Sequence, residues 1–245
     1  MKVTLTKKAI DMFKKTVDLL KESLEYVNLE CKKTGLFVNT VNFSQTGIIQ
    51  LFVDKDALEE YNQGNVPVLG LKMDSFQKML KSISNAHTLE MSMKDNETLI
   101  CQSKGKYSIN TEYRLVEVDA NSYDANVEYD VSATLDAKVL YSIVKDLSTL
   151  GDTVIIECVK DKLSFIVEGT DVAKTRVEIE DLDIQSEEDI SLKFGLKDLL
   201  NYVKIYAIAN DVELHLKANQ PMCLHYTLKD DFGWFRCFLA PMQDE

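Results

Sequence analysis

The sequence predicts an α+β protein made of two similar domains, each with two helices packed on antiparallel sheet. Three observations predict it: a repeat at a fixed offset, two amphipathic helices in each half, and short alternating strands around them. The stretch VNLECKKTGLFV (Val27 to Val38) resembles VIIECVKDKLSF (Val154 to Phe165). Cys31 aligns with Cys158 at an offset of 127, and Val27, Leu29 and Leu36 then meet Val154, Ile156 and Leu163.

The same offset carries the segment before it. Ile10, Phe13, Val17 and Leu20 fall on Ala137, Leu140, Val144 and Leu147. Spacings of three, four and three residues mark one apolar helix face. A second helix follows in each half. Phe76, Leu80 and Ile83 form its stripe in MDSFQKMLKSIS; Leu196, Leu199 and Val203 do so in GLKDLLNYVKIYA. The stretches GIIQLFV, TLEMSM, YSINTEY, TRVEIE, VELHLKA and PMCLHYTL alternate apolar and polar residues, as half-buried strands do. Asp95-Asn96 and Asp230-Asp231 punctuate them as turns. The Asn-, Asp- and Ser-rich run from Glu117 has no helical period and reads as a connector. The expected division is therefore a domain over 1–116, a connector over 117–133 and a domain over 134–245.

At 245 residues and 45% hydrophobic content, the chain is long enough to bury a real core. No apolar run approaches the roughly 18 residues of a membrane span, and the first residues lack a signal-peptide core. The expectation is an intracellular chain with no membrane partner. Its five cysteines are scattered in strand-like contexts with no CxxC pair, which reads as reduced core residues. His87, His215 and His225 lack ligand spacing, and no nucleotide, metalloprotease or nucleophile-elbow motif is present. Neither a metal, a cofactor nor a catalytic residue is expected.

The formal net charge of −12 argues against nucleic acid only if the cations are scattered. They are not. At 100° per residue, Lys78 and Lys81 oppose the apolar stripe of their helix, and Lys15 opposes that of the first helix, flanked by Lys14 and Lys21. Lys138 and Lys145 share one stripe of the third helix; Lys197 and Lys204 share one on the fourth. Asp11, Asp18, Asp146 and Asp198 interrupt these helices. One such face is an ordinary solvated surface. Four of them suggest a shared cationic surface suited to phosphate contact without base readout.

Four stretches resemble the DNA sliding clamps of the proliferating cell nuclear antigen family: GLKMDSFQKMLK, IVKDLSTLGDTVIIEC, FGLKDLLNYVK, and FLAP followed by acidic residues. The resemblance spans essentially the whole chain. It implies a DNA-clamp fold assembling into a ring, commonly a homotrimer, that encircles duplex DNA as a non-catalytic processivity factor. It implies work in the nucleus of a eukaryote, or otherwise in the cytoplasm, nucleoid or a viral replication site. It places the family's DNA-facing basic residues on Lys14, Lys15, Lys21, Lys78, Lys81, Lys145, Lys197 and Lys204, with Lys138 beside them. Ser142 and Thr149 occupy positions often basic or histidine in the family.

The resemblance also implies subunit contact between two edge strands, through Tyr107, Ile109, Thr111 and Tyr113 on one and Ala173, Thr175, Val177 and Ile179 on the other. A groove for clamp-binding peptides of DNA polymerase, clamp loader, flap nuclease and DNA ligase maps to Val41, Gln45, Thr46, Ile48, Tyr123, Val127, Pro221, Phe238, Ala240, Pro241, Met242 and Gln243. Two other readings are a clamp-like subunit of a heteromeric checkpoint clamp or viral accessory factor, and an enzyme on a generic α+β scaffold.

Overall fold

In the computed structural model the chain opens with a strand, β1 (Lys2–Thr6), whose last residue caps the first helix, α1 (Lys7–Ser23): the Thr6 side chain accepts a hydrogen bond from the Ala9 N–H. The structure describes residues 1–65, 68–83, 86–119, 123, 127–160, 162–168, 174–180, 182–186 and 188–242. The chain divides into two units. One holds residues 1–43, 49–123 and 228–235, the other 44–48, 124–227 and 236–245.

In the first unit α1 is followed by β2 (Tyr26–Lys32), β3 (Gly35–Val41), β4 (Gly47–Asp54), β5 (Glu60–Asn62), β6 (Val68–Lys72), α2 (Met73–Ser82), β7 (Ala86–Met93), β8 (Thr98–Gly105) and β9 (Ser108–Arg114). Strands lie in the order β5-β1-β7-β8-β9 in one sheet, and β6, β2, β3 and β4 lie side by side in another. The second unit runs β10 (Val131–Asp136), α3 (Ala137–Leu147), β11 (Thr153–Val159), β12 (Lys162–Glu168), β13 (Lys174–Ile179), β14 (Ile184–Ser186), β15 (Ile190–Gly195), α4 (Leu196–Val203), β16 (Asp211–Leu216), β17 (Met222–Thr227) and β18 (Gly233–Leu239). Its strand orders are β13-β12-β11-β15 and β14-β10-β16-β17-β18.

The repeat is structural. Cys31 pairs with Leu36 across the β2–β3 hairpin, and Cys158 pairs with Leu163 across β11–β12, each 127 residues from its counterpart. Ile10, Phe13, Val17 and Leu20 are buried, as are Ala137, Leu140, Val144 and Leu147. α1 packs on α2, and α3 on α4. In the first unit Phe76 is the hub, with Phe13 edge-on at 6.2 Å and Tyr113 edge-on at 5.4 Å.

Two expectations shift. The helix expected through Ala207 ends at Val203, and Lys204–Ala207 tightens into a 3-10 turn that hands the Ile205 carbonyl to the Ile208 N–H at 2.9 Å. β10 starts at Val131, inside the expected connector, because Val131, Ala133 and Leu135 alternate inward against Leu216, Leu214 and Val212. Upstream, the connector is strapped to the first unit. Asn28 Nδ2 donates to the Val118 and Asp119 carbonyls, and Asn39 Nδ2 to that of Tyr123.

Candidate nucleic-acid interface

In the first unit the lysines are interleaved with carboxylates. Asp74, in the first turn of α2, accepts from Lys78 Nζ at 2.6 Å and lies 3.1 Å from Lys21 of α1. The hydrogen bond from Lys78, then that from Lys21, holds the Asp74 carboxyl below its ordinary range. Asp18 accepts from Gln77 and lies 3.8 Å from Lys81. Lys14 donates to the Ile83 carbonyl at 2.6 Å, closing the C-terminal end of α2. Burial there pushes its ammonium pKa down, against the pull of Asp11 and Asp18. Lys15 is exposed. Apart from Lys78–Asp74, which lies within α2, these ties join α1 to α2 or its C-terminal end, so Lys14, Lys21 and Lys81, expected at the DNA, also staple the helix pair.

The second unit arranges its cations differently. Lys138, Lys145 and Lys197 are exposed, and among the described residues none is in an ion pair. Lys204 is half-buried, with Nζ 3.2 Å from Asn201 Oδ1. Ser142 and Thr149 return their hydroxyls to their own backbone, at the Lys138 and Asp146 carbonyls. Tyr141 of α3 and Tyr206 of the 3-10 turn stack at 4.3 Å and 25°, with Lys145 Nζ 5.9 Å from the Tyr141 ring centre. This stack sets an aromatic pair beside the lysines of the second unit. The four-residue spacing of Tyr141 and Lys145 was the signal for half of it.

Among the described residues β9 and β13 are sheet edges, each with a single neighbour, β8 and β12 respectively. Thr175, Val177 and Ile179 are half-buried and alternate with exposed Lys174, Arg176 and Glu178. Thr175 and Val177 line a cleft of about 520 Å³ against α3, with Val139, Ile143, Leu147 and Leu150 as its apolar wall. Val139 and Leu150 are 46% and 47% exposed. On the other edge Tyr107, just before β9, is 58% exposed, while Ile109 and Thr111 are half-buried. Tyr113 shares their side of the strand but is enclosed in the core. It is 7% exposed, packs on Phe76, and its hydroxyl both accepts from the Lys72 N–H and donates to the Lys72 carbonyl. Ala173 lies outside the described residues.

Of the expected groove, Val41 and Tyr123 belong to the first unit. Gln45, Thr46, Ile48, Val127, Pro221, Phe238, Ala240, Pro241 and Met242 belong to the second; Gln243 lies outside the described residues. The Ala240 N–H donates to the Thr46 carbonyl at 2.9 Å, and the Met242 N–H to the Lys193 carbonyl at 2.8 Å. The tail is thus pinned by its backbone while Ala240 and Met242 stay exposed. Beside it, Val127, Tyr129, Glu213, His215, Cys223, His225, Arg236 and Phe238 line a pocket of about 340 Å³. Its histidines are engaged: Tyr129 stacks on His215, whose Nδ1 lies 2.7 Å from Ser132 Oγ, and His225 Nδ1 accepts from Arg236 Nε at 2.6 Å. All five cysteines are buried free thiols; burial pushes the Cys31 thiol up to about 11 and those of Cys101 and Cys223 to about 12.

Comparison with known proteins fits this geometry. The N-terminal domain of proliferating cell nuclear antigen matches residues 3–124, and its C-terminal domain matches residues 124–242. Proliferating cell nuclear antigen of Saccharomyces cerevisiae is 27% identical over 245 residues, covering 94% of each chain. That of Dictyostelium discoideum is 28% identical over 247 residues, covering 94% of this chain and 95% of the other. The crystal structure of proliferating cellular nuclear antigen from Entamoeba histolytica superposes with a TM-score of 0.89 at 24% identity, over 99% of this chain and 98% of that one. With both domains matched in tandem from end to end, the chain belongs to the proliferating cell nuclear antigen family of sliding clamps.

Proposed function

We propose that this chain, a DNA sliding clamp and processivity factor, works as a closed ring of three copies that encircles duplex DNA and catalyses nothing itself. The observation that carries this is the exposure of lysine on all four helices of a chain whose net charge is −12. Lysine contacts to phosphate are independent of sequence and suit sliding. A topological link needs no strong contact, because release requires the ring to open.

The edges favour head-to-tail closure. β9 of one copy pairs with β13 of the next, and exposed Tyr107 approaches the cleft walled by Val139 and Leu150. Closure leaves no sheet edge unpaired at the joint, which removes an aggregation hazard. The tail offers exposed Ala240 and Met242 and half-exposed Pro241 on a pinned backbone. Peptides forming a helical turn with aromatic anchors bind such a surface. Through them DNA polymerase, clamp loader, flap nuclease and DNA ligase dock. The site of action is the nucleus, as the name shared by the relatives implies.

Light scattering on the purified chain is expected to give about three times the 27.9 kDa of one copy. The same protein, loaded on primed circular DNA, is expected to lengthen the products of a replicative polymerase. A strict monomer at micromolar concentration that also leaves the polymerase unstimulated overturns the proposal.

A further inference from the structure

Asp198 interrupts the lysine face of α4, and its carboxylate is put to other use. One oxygen, Oδ2, accepts from two hydroxyls, Ser44 Oγ at 2.9 Å and Thr46 Oγ1 at 2.8 Å. The segment it grips is unfavourable on its own. Gln45, between the two hydroxyl residues, has φ 57°, in the left-handed region that a non-glycine residue occupies only at a cost. The segment also sets the tail. Thr46 gives its carbonyl to the Ala240 N–H. Gly47 then passes so close to the Phe238 carbonyl and the Tyr202 hydroxyl that no Cβ fits there.

We propose that Asp198 is a positioning residue for partner-peptide binding: it fixes segment 44–47 from α4, and through Thr46 fixes the tail that peptides engage. The proposal rests on the reading of the tail as a peptide site. A carboxylate suits the task because hydroxyl-to-carboxylate bonds are charge-assisted and stronger than neutral ones. Both donors converge on one oxygen, so a single substitution removes both restraints. The segment and the helix are 152 residues apart in sequence at Thr46 and Asp198, and within the segment the two hydroxyls also lie 2.9 Å from each other.

The test uses the full chain with Asp198→Ala, Asp198→Asn, Phe238→Ala and Pro241→Ala. The probe is a fluorescein-labelled peptide of one helical turn with two aromatic anchors. Asp198→Ala is expected to weaken the peptide roughly tenfold, the scale of one lost hydrogen bond because the restraint acts indirectly through the tail, and to speed amide exchange at Ala240. Native mass stays that of wild type. Asp198→Asn keeps a carbonyl oxygen for the hydroxyls and recovers most of the affinity, which a merely altered charge would not. Ser44→Ala with Thr46→Val removes the donors without touching α4 and reproduces the loss if Asp198→Ala folds poorly. Wild-type peptide affinity in Asp198→Ala, alongside lost binding in Phe238→Ala and Pro241→Ala, overturns the positioning role and leaves the peptide site standing. Unchanged binding in all four overturns the peptide site, and the positioning role with it.

Discussion

In the first unit Asp74 sits between Lys21 and Lys78, and Asp18 faces Lys81. In the second, Lys138, Lys145 and Lys197 have no ion-pair partner among the described residues, and Lys145 lies over a stacked tyrosine pair. The helices are equivalent by the repeat, and so are their buried faces. The charge difference lies on the outer faces. It shows that the repeat holds the core in register and leaves each unit to settle its own charge. In one unit cations and carboxylates tie the helix pair together; in the other Lys138, Lys145 and Lys197 stay exposed, and a tyrosine stack ties α3 to the 3-10 turn after α4.

The comparison begins in the core, where the largest effect is expected. Phe76 in the first unit and Leu199 in the second occupy equivalent positions at an offset of 123, and both are buried. Phe76→Ala removes a ring with two edge-on aromatic partners and is expected to cost about 3–5 kcal/mol; Leu199→Ala opens a smaller cavity, at about 2–5 kcal/mol. Urea unfolding of both variants measures the gap. A smaller loss for Phe76→Ala would show that the aromatic hub adds nothing beyond its volume.

A middle-sized effect is expected at the DNA. Each lysine that contacts a phosphate steepens the salt dependence of binding, by about one in the log–log slope. Lys145→Ala with Lys197→Ala is therefore expected to lower the slope by about two. Lys21→Ala with Lys78→Ala is expected to lower it by less, because Asp74 already claims both ammonium groups. Titrating a fluorescent duplex at several salt concentrations gives both slopes. Equal reductions would mean that the Asp74 pairs open freely when DNA arrives.

Much of this was legible in the sequence, and the failures share a cause. The four helices, the 127-residue repeat and the strands now seen at the two sheet edges follow from periodicity within one segment, while their edge position came from the family resemblance. The aspartates that break the lysine faces read only as imperfect segregation. Their partners are distant: Gln77 lies 59 residues from Asp18, and Ser44 lies 154 from Asp198. A wheel drawn for one helix cannot see the helix beside it, and so it also misses the Lys14 bond to the Ile83 carbonyl and half of the tyrosine stack. β10 was hidden because polar Ser132 and Thr134 alternate with Val131, Ala133 and Leu135 directly after a polar connector. Tyr113 fitted the alternation of an interface strand, but the same alternation points it into its own core.

The smallest effect concerns the charge of Asp74. Its folded pKa lies below the ordinary value, so the pairs with Lys78 and Lys21 add stability that is present above the unfolded carboxylate pKa. That contribution is lost as pH falls through the folded value. The Asp74 side chain is 43% exposed, so solvent screens the pairs and the stability change is slight. Asp74→Asn is expected to melt slightly below wild type at neutral pH and to match it once the pH has fallen through the lowered folded pKa of Asp74, where both side chains are neutral. At neutral pH the same variant is expected to bind duplex DNA more tightly and with a steeper salt slope, because it frees Lys21 and Lys78 and brings the first unit closer to the second. Thermal melts across acidic pH and a duplex titration at pH 7 decide it. A variant whose DNA affinity does not rise would show that the carboxylate in the first unit never competed with phosphate, and the contrast between the two faces would then be one of packing alone.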